Sequence, residues 1–180
     1  NDGFTALMFS CQNGHDLCAR ALIKAGADLE KQTPKGNTAL TISCQGGHEQ
    51  CARALIEAKA NLDVTKPDGF TALMISCQFG HELCTRALIK AGAQVDHALD
   101  GGFTALILAC QDGHDLCARA LIENGARVDH ALEDRTTALQ IACLNGHEQC
   151  TRTLLEHRAT VDAAKNNGFT ALMNACQNGH

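Results

Sequence analysis

A strict 33-residue period is the feature of this sequence that most limits its fold. Threonine recurs at that spacing without insertion or deletion, at Thr5, Thr38, Thr71, Thr104, Thr137 and Thr170. A leucine lies two residues after each of these threonines. A Gly-His pair recurs in the same register, from Gly14-His15 to Gly179-His180. Periods of this length are typical of repeat architectures, in which each unit buries its apolar face against its neighbours. We therefore predict one array over 1–180, with five complete repeats at about 1–32, 33–65, 66–98, 99–131 and 132–164 and a partial sixth at 165–180.

Each repeat predicts two short helices and a connector. In the first repeat Thr5 is placed to cap a helix that Gly14 ends, and a second helix is expected from about Asp16 to Ala25. Gly26 then occupies the position of a left-handed C-terminal residue, and the connector that follows contains Pro34 and Gly36, which suit a hairpin-like turn. Helices this short are not stable alone in water, so the repeats must stack.

At this level of detail the chain resembles the ankyrin repeat family, whose period is also 33 residues. The resemblance rests on Gly36-x-Thr38-x-Leu40, Gly47-His48 and Ala-Leu-Ile-x-Ala at 54–58, recurring in phase over the whole chain. It implies an all-α, ankyrin-type α-solenoid of helix-turn-helix repeats joined by hairpin-like connectors. The family opens each repeat with Thr-Pro-Leu-His, whose Pro and His are absent here. Because that His braces the turn in the family, another residue must do so here, and Thr137 with Gln140 has the spacing of a capping box.

Cysteine and histidine recur as Cys-x3-His-x2-Cys in every complete repeat, first at Cys11, His15 and Cys18. Structural zinc needs four converging ligands, and each repeat offers three. We expect Cys11 and Cys18 on the inner faces of their helices as small apolar core residues, with metal binding or a disulfide as the lesser alternatives. We predict no metal and no cofactor.

The recurring histidines and arginines are also expected to be structural. A row of histidines suggests catalytic bases, but no Ser, Cys or carboxylate recurs beside them in a nucleophile-base-orienter arrangement, so each is expected to bond nearby backbone. Each second helix carries an acid four residues before an arginine, an arrangement that stabilises helices and neutralises the arginine: Asp16–Arg20, Glu49–Arg53, Glu82–Arg86, Asp115–Arg119 and Glu148–Arg152. With no phosphate-binding loop or nucleophile motif, the segment is not expected to be an enzyme.

Composition excludes several classes of partner. A formal charge of −5 without a basic cluster argues against nucleic acid. No apolar run approaches the roughly 18 residues of a membrane span, so direct membrane insertion is not expected. The eleven cysteines are an odd number in a pattern that needs no bridges, which favours a reducing intracellular compartment, the cytoplasm or an organelle interior.

The repeats differ from one another mainly in the connectors and at the end of the first helix. Positions without a packing role are free to diverge for recognition, and Phe79 stands where other repeats carry small or polar residues. In the ankyrin family the connector tips and first helices form a concave surface that holds partners. The resemblance therefore implies a protein-binding face that includes Lys35, Asp68, Phe79, Leu99, Asp112, Leu132 and Leu144. The alternative for Leu99 and Leu132 is packing against neighbouring tips.

The predicted function is a protein–protein interaction module that displays variable residues on rigid repeats. Two alternatives remain: a permanently docked structural subunit of a larger assembly, and a regulatory array attached to an enzyme domain outside this segment. The first helix, with Phe4 and Leu7, has the composition of an internal repeat. We accordingly expect further sequence or a partner to cover the end faces.

Overall fold

The computed structural model describes residues 3–179, apart from the side chain of Asn178. Those residues form eleven helices: α1 (Ala6–Gln12), α2 (Asp16–Lys24), α3 (Ala39–Gln45), α4 (Glu49–Glu57), α5 (Ala72–Gln78), α6 (Glu82–Lys90), α7 (Ala105–Gln111), α8 (Asp115–Glu123), α9 (Ala138–Leu144), α10 (Glu148–Glu156) and α11 (Ala171–Asn178). The described range contains no strand, only isolated bridges at Ala98–Thr104 and Ala131–Thr137. The predicted all-α repeat fold is confirmed.

The first helix of each repeat begins where the threonine pattern places it. The Thr5 hydroxyl accepts a hydrogen bond from the amide of Met8, and the other five threonines cap their helices in the same way. In α3 the Thr41 hydroxyl also accepts from the amide of Thr38 at 2.8 Å, which completes a reciprocal capping box. Two backbone amides that a free helix end would leave unpaired are therefore satisfied within the repeat.

The second helix ends with the expected left-handed residue. After α2 the backbone of Gly26 has φ +84°. Two repeats carry a longer side chain at this position, where Lys59 has φ +67° and Arg158 has φ +64°. Residues with a Cβ adopt this conformation at a cost that glycine avoids, so these two repeats are locally strained.

The described chain falls into two compact units. Unit 1, Asn1–Gln94, contains α1 to α6. Its first helices, α1, α3 and α5, pack side by side in one layer, and its second helices, α2, α4 and α6, form the other. Leu40 and Leu73 from the first layer and Leu55 and Leu88 from the second are at most 1% exposed and fill the space between the layers.

Unit 2, Val95–His180, repeats this arrangement with α7, α9 and α11 in one layer and α8 and α10 in the other. Leu106, Leu139, Leu121 and Leu154 are buried at the corresponding positions. His180, the last member of the Gly-His series, lies outside the described residues. The prediction that 1–180 form one array stays a prediction.

The cysteines are free thiols, and most are buried in the core as predicted. They contact one another between adjacent repeats, from the first helix of one to the second helix of the next: Cys11 with Cys51, Cys44 with Cys84, and Cys110 with Cys150. Burial raises the pKa of the Cys11 thiol to about 12, and the contact with Cys51 adds to the effect. Thiols of this kind are inert at neutral pH.

The prediction that Cys18 lies on an inner face is wrong. Cys18 is exposed, whereas Cys51, at the same position one repeat later, is buried. The reason is that this position faces the first helix of the preceding repeat, and within the described residues no repeat precedes α2. Cys11 and Cys18 thus occupy different environments, one buried and one exposed to solvent.

The recurring histidines bond backbone, as predicted, but the backbone of the preceding repeat. The Nε2 atom of His48 donates to the carbonyl of Gln12 at 3.0 Å, and the Nε2 of His81 donates to that of Gln45 at 3.0 Å. The His48 ring also rests on Gly14, where a Cβ would lie 2.6 Å from Nδ1. Gly and His recur together because each histidine occupies the space left by the previous glycine.

The arginine pairs follow the prediction only where the acid is glutamate. Glu49–Arg53, Glu82–Arg86 and Glu148–Arg152 form ion pairs within their helices. Where the acid is aspartate, the arginine instead pairs with the next second helix: Arg20 Nη1 lies 2.9 Å from Glu57 Oε2, and Arg119 Nη1 lies 3.6 Å from Glu156 Oε2. The shorter aspartate leaves the guanidinium free to reach across to the longer acid of the next repeat.

Candidate functional site

Two consecutive grooves lie on the face of unit 1 formed by the first helices and the connectors. Groove 1 has a volume of about 230 Å³ and is lined by Phe4, Gln12, Asn37, Ile42, Gln45 and Gly46. Groove 2 has a volume of about 280 Å³ and is lined by Gln45, Lys66, Asp68, Phe70, Ile75, Gln78 and Phe79. Gln45 belongs to both grooves, so they adjoin. Groove 2 brings together two residues that the sequence predicted for binding, Asp68 and Phe79.

Phe79 is held in a defined orientation on the wall of groove 2. It caps the end of α5 and is 47% exposed. Its ring stacks on that of His81, with centroids 6.4 Å apart and planes at 15°. Because the His81 ring is itself held by a hydrogen bond to the carbonyl of Gln45, it restricts the orientation of the phenylalanine ring that stacks on it. Phe79 is thus both exposed and held in place, and little ordering is needed before it contacts a partner.

An ion pair lies at the rim of groove 2, beside an aromatic ring. Lys66 Nζ lies 2.9 Å from Asp68 Oδ2 and 5.6 Å from the centroid of the Phe70 ring. Partial burial acts to raise the pKa of Asp68, but the bonds from Lys66 and from the amide of Phe70 outweigh it, so this pKa lies below its ordinary value. Asp68 is therefore a carboxylate at neutral pH, and more than half of its side chain is open to solvent.

Lys35 occupies the position of Asp68 one repeat earlier, but it does not line a groove. It is exposed at the connector tip, two residues before Asn37 of groove 1. Within residues 3–179 it forms no ion pair. The same connector position thus carries a free cation beside groove 1 and a paired carboxylate beside groove 2.

Asp112 and Leu144 end successive first helices of unit 2. Asp112 is the exposed C-cap of α7, and Leu144 is the last residue of α9, 37% exposed. The two helix ends are tied together, since the Asn145 side-chain amide and the His147 ring both bond the carbonyl of Gln111. Unit 2 therefore carries an aspartate at the helix-end position that Phe79 occupies in unit 1. It carries a leucine at the position where unit 1 has glutamine.

Leu99 and Leu132 are half-buried at the connector tips of unit 2. Each exchanges backbone hydrogen bonds across its own turn: the amide of Leu99 donates to the carbonyl of Phe103, and that of Leu132 to Thr136, both at 2.9 Å. The Leu132 backbone also lies against Gly102 of the preceding tip, where a Cβ would be only 3.2 Å from its Cα. The backbone of Leu132 therefore packs against the neighbouring tip, in line with the alternative raised for this residue.

Gln45, Lys66, Phe70 and Ile75 line groove 2 but are not among the residues predicted for binding. Gln45 and Phe70 recur at the same position in most other repeats, and recurrence is consistent with packing as well as with binding. Phe70 is half-buried and lines the groove. One feature of the sequence indicates a groove residue: an aromatic residue recurs in a connector, where a polar residue is usual.

A second set of interrepeat bonds, which was not predicted, joins each connector to the preceding one. The carboxylates of Glu30, Asp63, Asp96 and Asp129 each accept a hydrogen bond from a backbone amide 31 residues later, at 2.8–3.1 Å. These bonds fix the base of each connector to the repeat before it. They orient the tips, and hence the grooves, without contributing a side chain to them.

The opposite face of unit 1 consists of the second helices. Leu17 and Leu83 are 77% and 55% exposed there, at a position that carries glutamine in other repeats. Shallow depressions of about 220 and 210 Å³ run between neighbouring second helices, with Arg20 and Glu57 at the first and Arg53 and Lys90 at the second. This face has isolated leucines among paired charges and no exposed aromatic side chain.

Comparisons with known proteins agree with this architecture. A family model described as ankyrin repeats matches three times, at 1–66, 58–132 and 128–180. The crystal structure of the human ASB11 ankyrin repeat domain superposes with a TM-score of 0.86 and 29% sequence identity, over 96% of this chain and 77% of that one. Among curated protein sequences, none matches this chain significantly. In the described part of the chain, no helix is long and apolar enough to cross a membrane.

Proposed function

Because the chain belongs to the ankyrin repeat family, whose repeats generally mediate protein–protein interaction, we propose that it binds a partner protein through its first helices and connector tips. The observation that carries this proposal is Phe79, a half-exposed aromatic ring held in place over groove 2. Exposed aromatic residues with a fixed orientation are enriched among the residues that dominate binding energy.

Rigid display is the mechanism. Histidine bonds and carboxylate–amide bonds join each repeat to the one before it, so the residues of a face are ordered before a partner arrives. Binding then loses less conformational entropy on the repeat side. The role needs no catalytic group, metal or cofactor, and an overall charge of −5 does not favour nucleic acid as the partner.

Unit 1 supplies Phe79, Asp68 and Lys35 to the proposed binding face, and unit 2 supplies Asp112 and Leu144, with Leu99 and Leu132 at its tips. We propose that each unit contacts the partner through its own members of this set. The buried free thiols fit a reducing intracellular compartment, which we propose as the site of action.

The test compares two faces of unit 1 with substitutions that other repeats already carry. The face variant combines Phe79→Asn with Asp68→Asn, because Asn145 and Asn167 occupy those positions elsewhere. The control variant combines Leu17→Gln with Leu83→Gln on the second helices, where Gln50 and Gln149 occur. Both variants keep the repeat pattern, and circular dichroism checks that their helix content equals that of the original chain.

Proteins captured from the source extract by each chain are identified by mass spectrometry, and the affinity of the principal one is measured by calorimetry. We expect the face variant to lose at least about tenfold in affinity, since one central aromatic residue contributes 2 kcal/mol or more at many interfaces. The control variant should bind as the original does. A partner lost by the control and retained by the face variant would move the binding site to the second helices.

A further inference from the structure

We propose that grooves 1 and 2 receive an acidic segment of the partner in the polyproline II conformation, with a bulky apolar side chain at every third residue. This inference rests on the proposed function, because it names the occupant of the same face. Three features of unit 1 carry it: the spacing of the grooves, the chemistry of their walls and the charge at their rims.

The spacing of the grooves selects the backbone conformation of the occupant. The grooves lie one repeat apart, and neighbouring helices pack roughly 8–10 Å apart. An extended β-strand places every second side chain on one face, about 6.6 Å apart, so no pair of same-face residues fits that distance well. A polyproline II helix places every third side chain on one face, about 9.3 Å apart, which matches it.

The size of the grooves favours side chains of a polymer over a small molecule. At about 230 and 280 Å³ each groove is below the roughly 300 Å³ at which small-molecule pockets usually begin. Groove 1 offers Phe4 and Ile42 as apolar walls, and groove 2 offers Phe70, Ile75 and Phe79. Each suits one large apolar side chain, and aromatic-walled grooves of this kind are used to bind polyproline II segments.

Glutamine carboxamides between the grooves match the backbone of such a segment. Gln12 and Gln45 are exposed at the same position of successive repeats, and their own carbonyls are taken by His48 and His81. Their side-chain amides make no hydrogen bond to any other described residue. A polyproline II helix has no internal hydrogen bonds, so its carbonyls are free to accept from these amides.

The charges beside the grooves select acidic residues in the segment. The first helices of unit 1 carry no charged residue. Lys31 and Lys35 are exposed in the connector beside groove 1 and form no ion pair among residues 3–179, whereas Lys66 is neutralised by Asp68. A carboxylate next to the apolar residue in groove 1 would therefore meet uncompensated positive charge.

The test uses dye-labelled synthetic peptides and fluorescence anisotropy with the full chain. The first peptide repeats Pro-Glu-Leu four times and has the proposed period, conformation and charge. A second has the same composition with the leucines moved out of the three-residue period, and a third replaces every Glu by Lys. We expect the first to bind at least about tenfold more tightly than the second or third, which corresponds to 1.4 kcal/mol.

Two variants separate the contributions of charge and backbone. Lys35→Asp should weaken the Pro-Glu-Leu peptide about fivefold and strengthen the Pro-Lys-Leu peptide. Gln45→Ala should weaken the first and second peptides alike, because both present the same main chain, whereas Gln111→Ala at the same position of unit 2 should change neither. Lys35 and Gln45 are exposed and Gln111 is half-buried, and circular dichroism checks that the helices remain.

Failure of this inference is distinguishable from failure of the proposed function. If the Pro-Glu-Leu peptide does not bind, or binds no better than the shuffled one, the polyproline II segment is wrong. A captured partner that still depends on Phe79 would then leave the protein-binding face standing. If Lys35→Asp has no effect on either charged peptide, the acidic character of the segment is wrong.

Discussion

The two units hold their connector tips by different chemistry. In unit 1 the ring of Pro34 lies against Gly3 and that of Pro67 against Gly36, so neighbouring tips interlock through apolar contact. In unit 2 hydrogen bonds hold the tips: His130 Nε2 donates to the carbonyl of Gly102 at 2.9 Å, and Gln140, which is 1% exposed, donates to the carbonyls of Ala163 and Phe169 at 2.7 and 3.1 Å. The helices therefore depend on residues that recur in every repeat, whereas the tips depend on residues that differ between repeats.

That difference extends to the faces that the tips border. The first helices of both units carry no charged residue. In unit 1 phenylalanines line the grooves, and the connectors beside them carry Lys31 and Lys35 as well as the paired Asp68. Unit 2 carries more exposed acids at its helix ends and connectors: Asp100, Asp112, Glu133 and Asp134. Unit 1 therefore presents more basic groups beside its first helices, and unit 2 more acidic ones. Recognition of an acidic partner is accordingly expected in unit 1.

The largest effect on stability is expected from Gly36→Ala in unit 1. Gly36 has φ +74°, and a Cβ there would overlap the Cδ of Pro67, so the variant combines a strained backbone with a steric clash. We expect a loss of about 3 kcal/mol in urea-induced unfolding. Gly92→Ala is the matched control, since φ is +94° and no heavy atom lies within 4 Å of the added Cβ. It should lose only about 1 kcal/mol, and equal losses would show that the proline contact does not brace the tip.

The corresponding change in unit 2 is Gln140→Met, which introduces the residue that Met74 supplies in unit 1. It removes the bonds to two tip carbonyls and the bond that Gln140 Oε1 accepts from the amide of Thr137 at 2.9 Å. We expect a loss of about 2 kcal/mol, because buried polar groups are left unpaired. Hydrogen exchange should show faster opening of residues 160–170. If Gln140→Met costs no more than Met74→Leu, expected below about 1.5 kcal/mol, the polar bracing of unit 2 is not required.

A smaller and opposite effect is expected from Arg135→Gly. Arg135 has φ +67° at a tip position where Gly36, Gly69, Gly102 and Gly168 occur in the other repeats. Glycine adopts this conformation without the Cβ penalty, so the variant should gain about 1 kcal/mol in urea-induced unfolding. Destabilisation would mean that contacts of the arginine side chain outweigh its backbone strain.

The smallest effect is a difference between the units at alkaline pH. In unit 1 burial raises the pKa of Cys11 to about 12, above its ordinary 9.0, and the Cys84 hydrogen bond together with burial raises that of Cys44. In unit 2 burial also raises the pKa of Cys143, but the hydrogen bond with Cys110 lowers that of Cys150. A raised folded-state pKa gives stability that is complete below 9.0 and lost as pH rises through about 12, because the unfolded thiol ionises first.

Hydrogen exchange between pH 8 and 10, corrected for intrinsic exchange rates, should therefore show unit 1 losing protection before unit 2. Cys11→Ala should flatten the pH dependence of unit 1, and Cys18→Ala, which removes an exposed thiol, should leave it unchanged. Equal loss of protection in both units would contradict the assignment of the effect to the buried thiols of unit 1.

The sequence was sufficient for the helices, because each depends on local signals. Thr5 as a cap, Gly26 in the left-handed conformation and the capping box of Thr137 with Gln140 all follow from residues within a few positions of one another. What it could not supply were contacts between repeats. The carbonyls that accept from His48, His81 and His147 lie 36 residues earlier, and the hydrogen bond from Gln140 to Phe169 spans 29 residues.

The candidate site was predictable only in part, for the same reason. Phe79 and Asp68 were found because they differ from their counterparts in other repeats. Gln45 and Phe70 were missed because they recur, and a recurring residue is consistent with packing as well as with binding. Cys18 shows that recurrence does not ensure burial. A cysteine at this repeat position is buried where a preceding repeat packs on it and exposed where none does.

Site-specific crosslinking tests the central claim, that a partner protein occupies the grooved face of unit 1, most directly. A photoreactive phenylalanine analogue is placed at Phe79 in one chain and at Leu17 on the second helices in another, and each is irradiated in the source extract. Both side chains are exposed, so their intrinsic reactivity is comparable. We predict a single crosslinked partner from position 79 and none from position 17. The same partner crosslinked only from position 17 would contradict the claim.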